Sequence, residues 1–527
     1  MTATPGRMNG GMHPGVHAAE RPDAAAVIEA DTGAVLTWRQ LDERSNRLAQ
    51  LLYARGLRRG DHIALLMENH LRYSEVVWAA LRSGLYITAI NRYLTAGEAA
   101  YIVNDSGAKA LVTSLARAEV AAALGEAIPG CAIRLMIDGA IAGWERYEAA
   151  IAAHPATPLA KPWSGDTMLY SSGTTGRPKG IKRALADLPI DRHFRAIDTY
   201  QGYGFHPGMV YLSPAPLYHA APLAYTIATQ RFGGTVVMMR HFDAVEALRL
   251  IERHRVTHSQ WVPTMFVRML KLAPGQRAGF DLSSHVCAIH AAAPCPVEVK
   301  RQMIEWWGPI LHEYYAGTES NGITRITSQE WLARPGSVGQ AKLGILHICD
   351  DDGAELPAGQ CGLIYFERDV LPFAYHNDPD KTARALHPCH KTWSTLGDIG
   401  YADADGYLFL TDRRAFMIIS GGVNIYPQAI EDALILHPAV RDVAVIGVPN
   451  PDFGEEVKAV VELADGETPS PALSEALIDF LRQRVARYMV PKSIDFIDQL
   501  PRLPTGKLYK QALRARYQTP THPEETH

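Results

Sequence analysis

Eleven residues, YSSGTTGRPKG from Tyr170 to Gly180, hold three Gly, four Ser/Thr hydroxyls and two cations between two apolar segments. Glycine on a short loop lets successive backbone N–H groups converge on an anion, and hydroxyls add donors. Lys179 adds a mobile point charge of the kind a polyphosphate needs. The Walker-type pattern fails, because Pro178 stands where Gly-Lys-Ser/Thr is required, and G-x-G-x-x-G fails as well. By spacing alone the stretch suits either a phosphate-binding loop or a plain surface loop. A second chemical candidate, HPCH from His387 to His390, has no second half at metal-ligand spacing and reads as an ordinary loop.

The elements around the loop must hold it still. VIEADTGAVLT reads as two short strands about an Asp-Thr-Gly turn. Thr37 opens a helix with Gln40 three positions on, and Leu41, Leu48, Leu51 and Leu52 form its apolar stripe. Strand, helix and strand then alternate through HIALLM, VVWAALRSGLYITAIN and AKALVTS, and again through TVVMM, FDAVEALRLIERHR and VTHSQWV. This order predicts a parallel α/β core with helices on both faces. Near Asp412 the texture changes to short strands (MIIS, VRDVAVIGVP, VKAVVEL) and two helices (PQAIEDALILH, SPALSEALIDFLRQRVARY). The prediction is a large N-terminal domain over 1–413 and a small mobile α+β domain over 414–527.

The chain has 527 residues, 47% apolar and 20% charged, with net charge -4. That length exceeds one core, and that charge gives no basic field for nucleic acid or an anionic membrane. Six scattered cysteines without a C-x-x-C pair fit a reduced cytoplasm. No apolar run approaches the ~20 residues of a membrane span. The Gly/Pro-rich start reads as a disordered leader, and YQTPTHPEETH as a frayed tail.

YSSGTTGRPKG resembles the phosphate loop of the adenylate-forming superfamily of acyl-CoA synthetases, coumarate-CoA ligases, luciferases and adenylation domains. YYAGTES, STLGDIGYADADGYLFLTDR, MIISGGVNIYPQAIE and PRLPTGK resemble its other motifs, in its order, across about residues 20 to 515. The resemblance implies that a carboxylate attacks the α-phosphorus of ATP, giving an acyl-adenylate and pyrophosphate, and that a thiol then displaces AMP. It implies that Ser171, Ser172, Gly173, Thr174, Thr175 and Lys179 cradle the phosphates. Thr318 is expected at the α-phosphate, Glu319 at Mg²⁺, Tyr315 against adenine opposite Ala291 and Ala292, and Asp398 on the ribose diol. Arg413 is expected at the ribose or phosphate, Lys507 as the catalytic lysine, and His219 beside the acyl group. Gly421 and Gly422 are expected along the pantetheine passage of coenzyme A.

The sequence also departs from the pattern. Ala415 and Phe416 stand where hinge charges are common, and Tyr314 and Ala316 flank the motif tyrosine in place of Gly. The acid-pocket candidates are Tyr218, His219, Trp261, Met265, Ala291, Tyr314 and Gly317. They include no cation, which points to a hydrophobic monocarboxylic acid: fatty, aryl or alicyclic. Coenzyme A is the expected acceptor, since no carrier segment follows Lys507. Loading of a carrier protein and non-catalytic adenylate binding are the alternatives, and a homodimer is a candidate assembly.

Overall fold

Runs of β-branched and aliphatic residues without alternation bury both faces of a strand, and that is how the first sheet is built. Its strands follow the order Glu145–Arg146, Ile133–Ile137, Ala108–Ser114, His62–Leu66, Tyr86–Ile90 and Asp166–Thr167, and every pairing is parallel. The computed structural model describes residues 12–171, 178–192, 197–413, 416–502 and 508–518. They fall into two compact units, neither of them a contiguous piece of chain. The first takes in the chain up to His290 with Ile310–His312 and Pro372–Thr382; the second takes Ala291–Pro309, Glu313–Leu371 and the chain from Ala383 on.

The first unit holds a second sheet ordered Cys287–His290, His258–Trp261, Val210–Ser213, Thr235–Met238, Ala25–Glu29 and Val35–Thr37. It is parallel except for the last pair, the hairpin about the Asp-Thr-Gly turn. Helix Trp38–Ala54 follows it and starts as the sequence predicts. Thr37 Oγ1 accepts from Gln40 N at 3.2 Å, Gln40 Oε1 accepts from Thr37 N at 3.1 Å, and the four stripe leucines are buried.

One expectation is corrected. The leader is not disordered throughout, because Pro14–Glu20 is a helix. His13 Nδ1 accepts the Gly15 N–H at its start and proline occupies the first turn, so an otherwise unpaired donor is satisfied or absent. His17 Nε2 lies 2.9 Å from the Arg231 carbonyl, and Arg231 Nη1 donates to the Met12 carbonyl.

In the second unit, Ile345–Cys349, Gly362–Glu367, Trp393–Ala402, Leu408–Arg413, Ser337–Leu343 and Ile323–Thr327 lie side by side in antiparallel pairs. A separate five-stranded sheet runs Val423–Ile425, Ile418–Ser420, Gly454–Leu463 and Val440–Asn450, with Ser493–Ile497 parallel to Gly454–Leu463. Helices Pro427–Leu434 and Pro471–Arg482 contribute Ile430, Leu434, Leu477 and Leu481 to its core.

Candidate active site

The phosphate-loop candidate is bounded by a hairpin. Leu169–Ser171 and Lys179–Lys182 pair antiparallel, with Ser171 opposite Lys179, so the loop starts and ends at one ladder rung. Lys179 Nζ sits 5.1 Å from the centre of the Tyr375 ring. Tyr375 comes from Ala374–Tyr375, the third strand of this ribbon. Ser172, Gly173, Thr174 and Thr175 lie outside the described residues.

In the second unit the strand Leu311–Ala316 delivers Tyr315, and Trp393–Ala402 delivers Asp398. The Tyr315 phenol donates to Asp398 Oδ2 at 2.7 Å, and Asp398 is buried. The expected adenine and ribose residues are therefore joined directly. The Tyr315 ring is 6.3 Å from Phe366. After Ala316 the chain turns, with Ser320 N donating to the Gly317 carbonyl at 3.1 Å, and Ser320 takes φ 55°. Glu319 is buried inside that turn. A Cβ on Gly317 would meet the tip of Leu396 and come within 2.8 Å of Glu319 Oε2, so a side chain there would displace both tips. Thr318 is half-buried beside it. Ala291 is buried, while Ala292 is exposed with φ 79°. Arg413 is the strand partner of Asp398, and its side chain lies outside the described residues. Tyr314, on the opposite face of the strand from Tyr315, is half-buried.

Two acid-pocket candidates, Tyr218 and Met265, line a cavity of about 290 Å³ in the first unit. Burial pushes the Tyr218 phenol up to about 12, so it enters any chemistry near neutrality as a neutral donor. His219 is the half-buried N-cap of Ala220–Phe232, with its ring 4.5 Å from Tyr218. Trp261 is fully buried against Phe242 and Phe266 and is not on this wall. The sequence reading missed Arg92, Arg240 and Arg268, which border the same cavity. They come from three distant places in the chain, and no local pattern ties them together. Arg240 is engaged by Glu29 at 2.9 Å.

Gly421 and Gly422 form the two-residue loop between Ile418–Ser420 and Val423–Ile425. Both have positive φ, 57° and 80°, as a tight hairpin of this hand demands. Lys507 lies outside the described residues, and its flanks are held firmly. Arg502 and Leu508 form an antiparallel bridge, Tyr509 N donates to the Pro501 carbonyl at 2.8 Å, and Arg502 pairs with Asp442. Lys510 Nζ is 2.7 Å from Glu431 Oε1, with both side chains buried, and 5.4 Å from the Phe416 ring centre. Glu431 also accepts from Val445 N at 2.7 Å. Asp412 Oδ2 accepts from Gln428 N at 3.2 Å, capping the helix Pro427–Leu434. Asp432 is pushed up to about 7, chiefly by burial, with the neighbouring Glu431 and Asp412 carboxylates adding to it against the Gln428 hydrogen bond. The His387 loop is structural: Nε2 meets the Gly353 carbonyl at 2.8 Å and the ring packs on Trp393. Among the described residues no group of three metal-ligating side chains gathers, and none of the six cysteines is in a disulfide.

Residues 16–371 match the family model of the AMP-binding enzyme, and residues 429–507 match that of the AMP-binding enzyme C-terminal domain. The chain is 32% identical over 502 residues to the long-chain-fatty-acid–CoA ligase FadD13 of Mycobacterium tuberculosis, covering 94% of this chain and 96% of that one. It is 32% identical over 509 residues to the fatty acid–[acyl-carrier-protein] ligase ScoC of Streptomyces coeruleorubidus, covering 95% of each. Among solved structures it superposes with TM-score 0.78 on the o-succinylbenzoate CoA synthetase of Bacillus subtilis in complex with its acyl-adenylate intermediate. That match has 26% identity and covers 95% of this chain and 97% of the other.

Proposed function

This chain belongs to the AMP-binding enzyme family and is an AMP-forming acid–CoA ligase, and from that premise we propose which residues carry the reaction and which acid it takes. A carboxylate is a poor electrophile until its oxygen carries a good leaving group. ATP supplies that group as AMP, and the thiol of coenzyme A then takes the acyl carbon. Both steps are phosphoryl- and acyl-transfer problems of positioning and charge neutralisation.

The observation that carries the residue assignment is the Tyr315–Asp398 hydrogen bond with Glu319 buried in the adjoining turn. Tyr315 offers a ring face for adenine, with Ala291 and Ala292 opposite, while Asp398 accepts the ribose hydroxyls and Arg413 reaches the ribose or phosphate. Ser171, Ser172, Gly173, Thr174, Thr175 and Lys179 hold the β- and γ-phosphates, and Thr318 holds the α-phosphate. Glu319 offers the hard carboxylate oxygen that Mg²⁺ prefers, and its burial against Gly317 fits a fixed ligand. Mg²⁺, when bound, neutralises phosphate charge. Lys507 stabilises the approach of carboxylate to phosphorus. A boundary at 413/414, in the gap between the two family matches, lets the small domain reorient for thioester formation past Gly421 and Gly422.

The acid is a hydrophobic monocarboxylate. Tyr218 and Met265 supply apolar wall with His219 beside Tyr218, and Tyr314 and Gly317 are the acyl-side candidates of the second unit. Arg92, Arg240 and Arg268 border the same cavity, contrary to the cation-free lining expected from the sequence, and Arg240 is held by Glu29. ScoC motivates a second reading, in which a carrier-protein thiol replaces coenzyme A. We place the reaction in the cytoplasm, which six cysteines outside any disulfide favour, and a homodimer is the assembly to test by light scattering. The decisive experiment incubates a panel of fatty, aryl and alicyclic acids with ATP, Mg²⁺ and either coenzyme A or a holo-carrier protein, reading AMP and the thioester by mass. Turnover only with the carrier overturns the choice of acceptor. Preference for a dicarboxylate overturns the choice of acid.

A further inference from the structure

A cationic pocket lies at the foot of the phosphate-loop hairpin and shares Tyr375 with Lys179. Its volume is about 350 Å³, and its walls include Tyr86, Lys182, Arg183, Tyr375, His376 and Asn377. Lys182 follows Lys179 on one strand, and alternation sends the two side chains to opposite faces. Lys182 Nζ lies 3.3 Å from His62 Nε2 and 4.9 Å from the Tyr86 ring centre. The His62 ring stacks on Tyr86 at 4.6 Å and lies 6.0 Å from the His376 ring.

The charge in this cluster is out of balance. An ammonium donates, so His62 Nε2 accepts and the ring proton sits on Nδ1, which is buried with no hydrogen-bond partner. Burial and the Lys182 charge hold His62 down to about 4, and the same two causes lower His376. The nearby carboxylates have partners of their own. Asp166 takes Arg183 at 2.8 Å, Asp61 takes Lys109 at 2.7 Å, and Asp105 takes the Tyr170 phenol at 2.6 Å and Asn377 at 3.2 Å. Among the described residues no carboxylate pairs with Lys182. With His62 and His376 neutral, the Lys182 ammonium stands beside bases and not beside a carboxylate, and an anion supplies its counter-charge.

We propose that this pocket is a second phosphoryl-anion site, distinct from the phosphate loop, taking inorganic phosphate or pyrophosphate against Lys182 with the His376 imidazole beside it. Lysine gives such an anion a point charge, and a neutral imidazole beside it adds no second full charge. The pocket stands at the low end of the size range of small-molecule sites, which suits a compact anion.

The test is calorimetric titration of the full-length protein with phosphate, and separately with pyrophosphate, while saturating α,β-methylene-ATP fills the nucleotide site. The expected result is saturable binding of at least one of the two anions. Lys182→Met should weaken it by about tenfold or more, the loss of one charge-assisted bond. His376→Ala should weaken it less, and Lys109→Met, whose ammonium is already paired with Asp61, should leave it unchanged. A preference for pyrophosphate would assign the site to the reaction's own product, and a preference for phosphate to the free ion. Absence of saturable binding in the wild type overturns the proposal, as does wild-type affinity in a folded Lys182→Met protein. The readout requires no turnover, so its failure leaves the assignment of acid activation untouched.

Discussion

Asp398 is buried with its carboxylate on the Tyr315 phenol, so charge and ring can be separated by mutation. Asp398→Asn keeps the shape but removes the charge that strengthens bonds to a diol, and the KM for ATP should rise by about tenfold or more. Tyr315→Phe removes one phenol oxygen and keeps the ring face, so its effect should stay within a few-fold. Equal losses in steady-state kinetics would locate the role in the phenol instead of the carboxylate. Lys507→Ala should lower acid-dependent pyrophosphate exchange by about 10²–10³, the worth of one donor aimed at developing charge. The same protein should still convert chemically prepared acyl-adenylate and coenzyme A to thioester. Retained exchange would remove Lys507 from the adenylation step. Asp432 gives a pH signature. Its folded value, about 7, lies above that of an unfolded aspartate, so the folded state binds the proton more tightly. Stability from this group is full below about pH 4 and is lost as pH rises through 7. Asp432→Asn should therefore flatten the fall in Tm between pH 5 and 8, a difference of roughly 2 kcal/mol after allowance for its partial exposure. An unchanged slope would show that another group carries the titration.

At the scale of elements, the Lys510–Glu431 pair ties the start of helix Lys510–Gln518 to helix Pro427–Leu434, just beyond the Arg502–Leu508 bridge that closes the Lys507 segment. Glu431→Gln leaves a buried ammonium without its counter-charge and should cost about 3 kcal/mol in urea unfolding. Replacing both partners, Glu431→Leu with Lys510→Met, should recover much of that stability. If the pair positions the catalytic segment, adenylation should remain impaired in the double variant while thioester formation is spared; full recovery of both would make the pair purely structural. Elements were legible where the signal is local. The Thr37–Gln40 capping box and the apolar strands of the first sheet are written in consecutive residues, whereas the hairpin at Gly421–Gly422 went unpredicted. The motif order also brought Tyr315 and Asp398 onto one list before geometry joined them. What stayed hidden depends on distant chain. The leader helix forms because Arg231, more than 200 residues on, bonds to Met12 and His17. The arginines of the Tyr218 cavity and the bases around His62 converge only through sheet order.

At the scale of the whole molecule, Ala415 separates Asp412, which caps one helix, from Phe416, which packs on Lys510. Ala415→Pro fixes φ just past the proposed 413/414 boundary, where hinge charges are common in the family, and should hold one arrangement of the small domain. Adenylation should survive while thioester formation falls, each half-reaction being assayed on the same folded protein. Equal loss of both would move the pivot elsewhere.

The ribbon that bounds the phosphate loop takes its third strand, Ala374–Tyr375, from roughly 190 residues further along the chain. During synthesis at ~5–20 residues per second, about 10–40 s pass before that strand leaves the ribosome. Through that interval Lys179–Lys182 presents an open edge, a template on which another nascent chain can pair. The lysines at its two ends are the kind of residue that discourages such pairing, so the charges at 179 and 182 guard the newborn protein before they meet any anion.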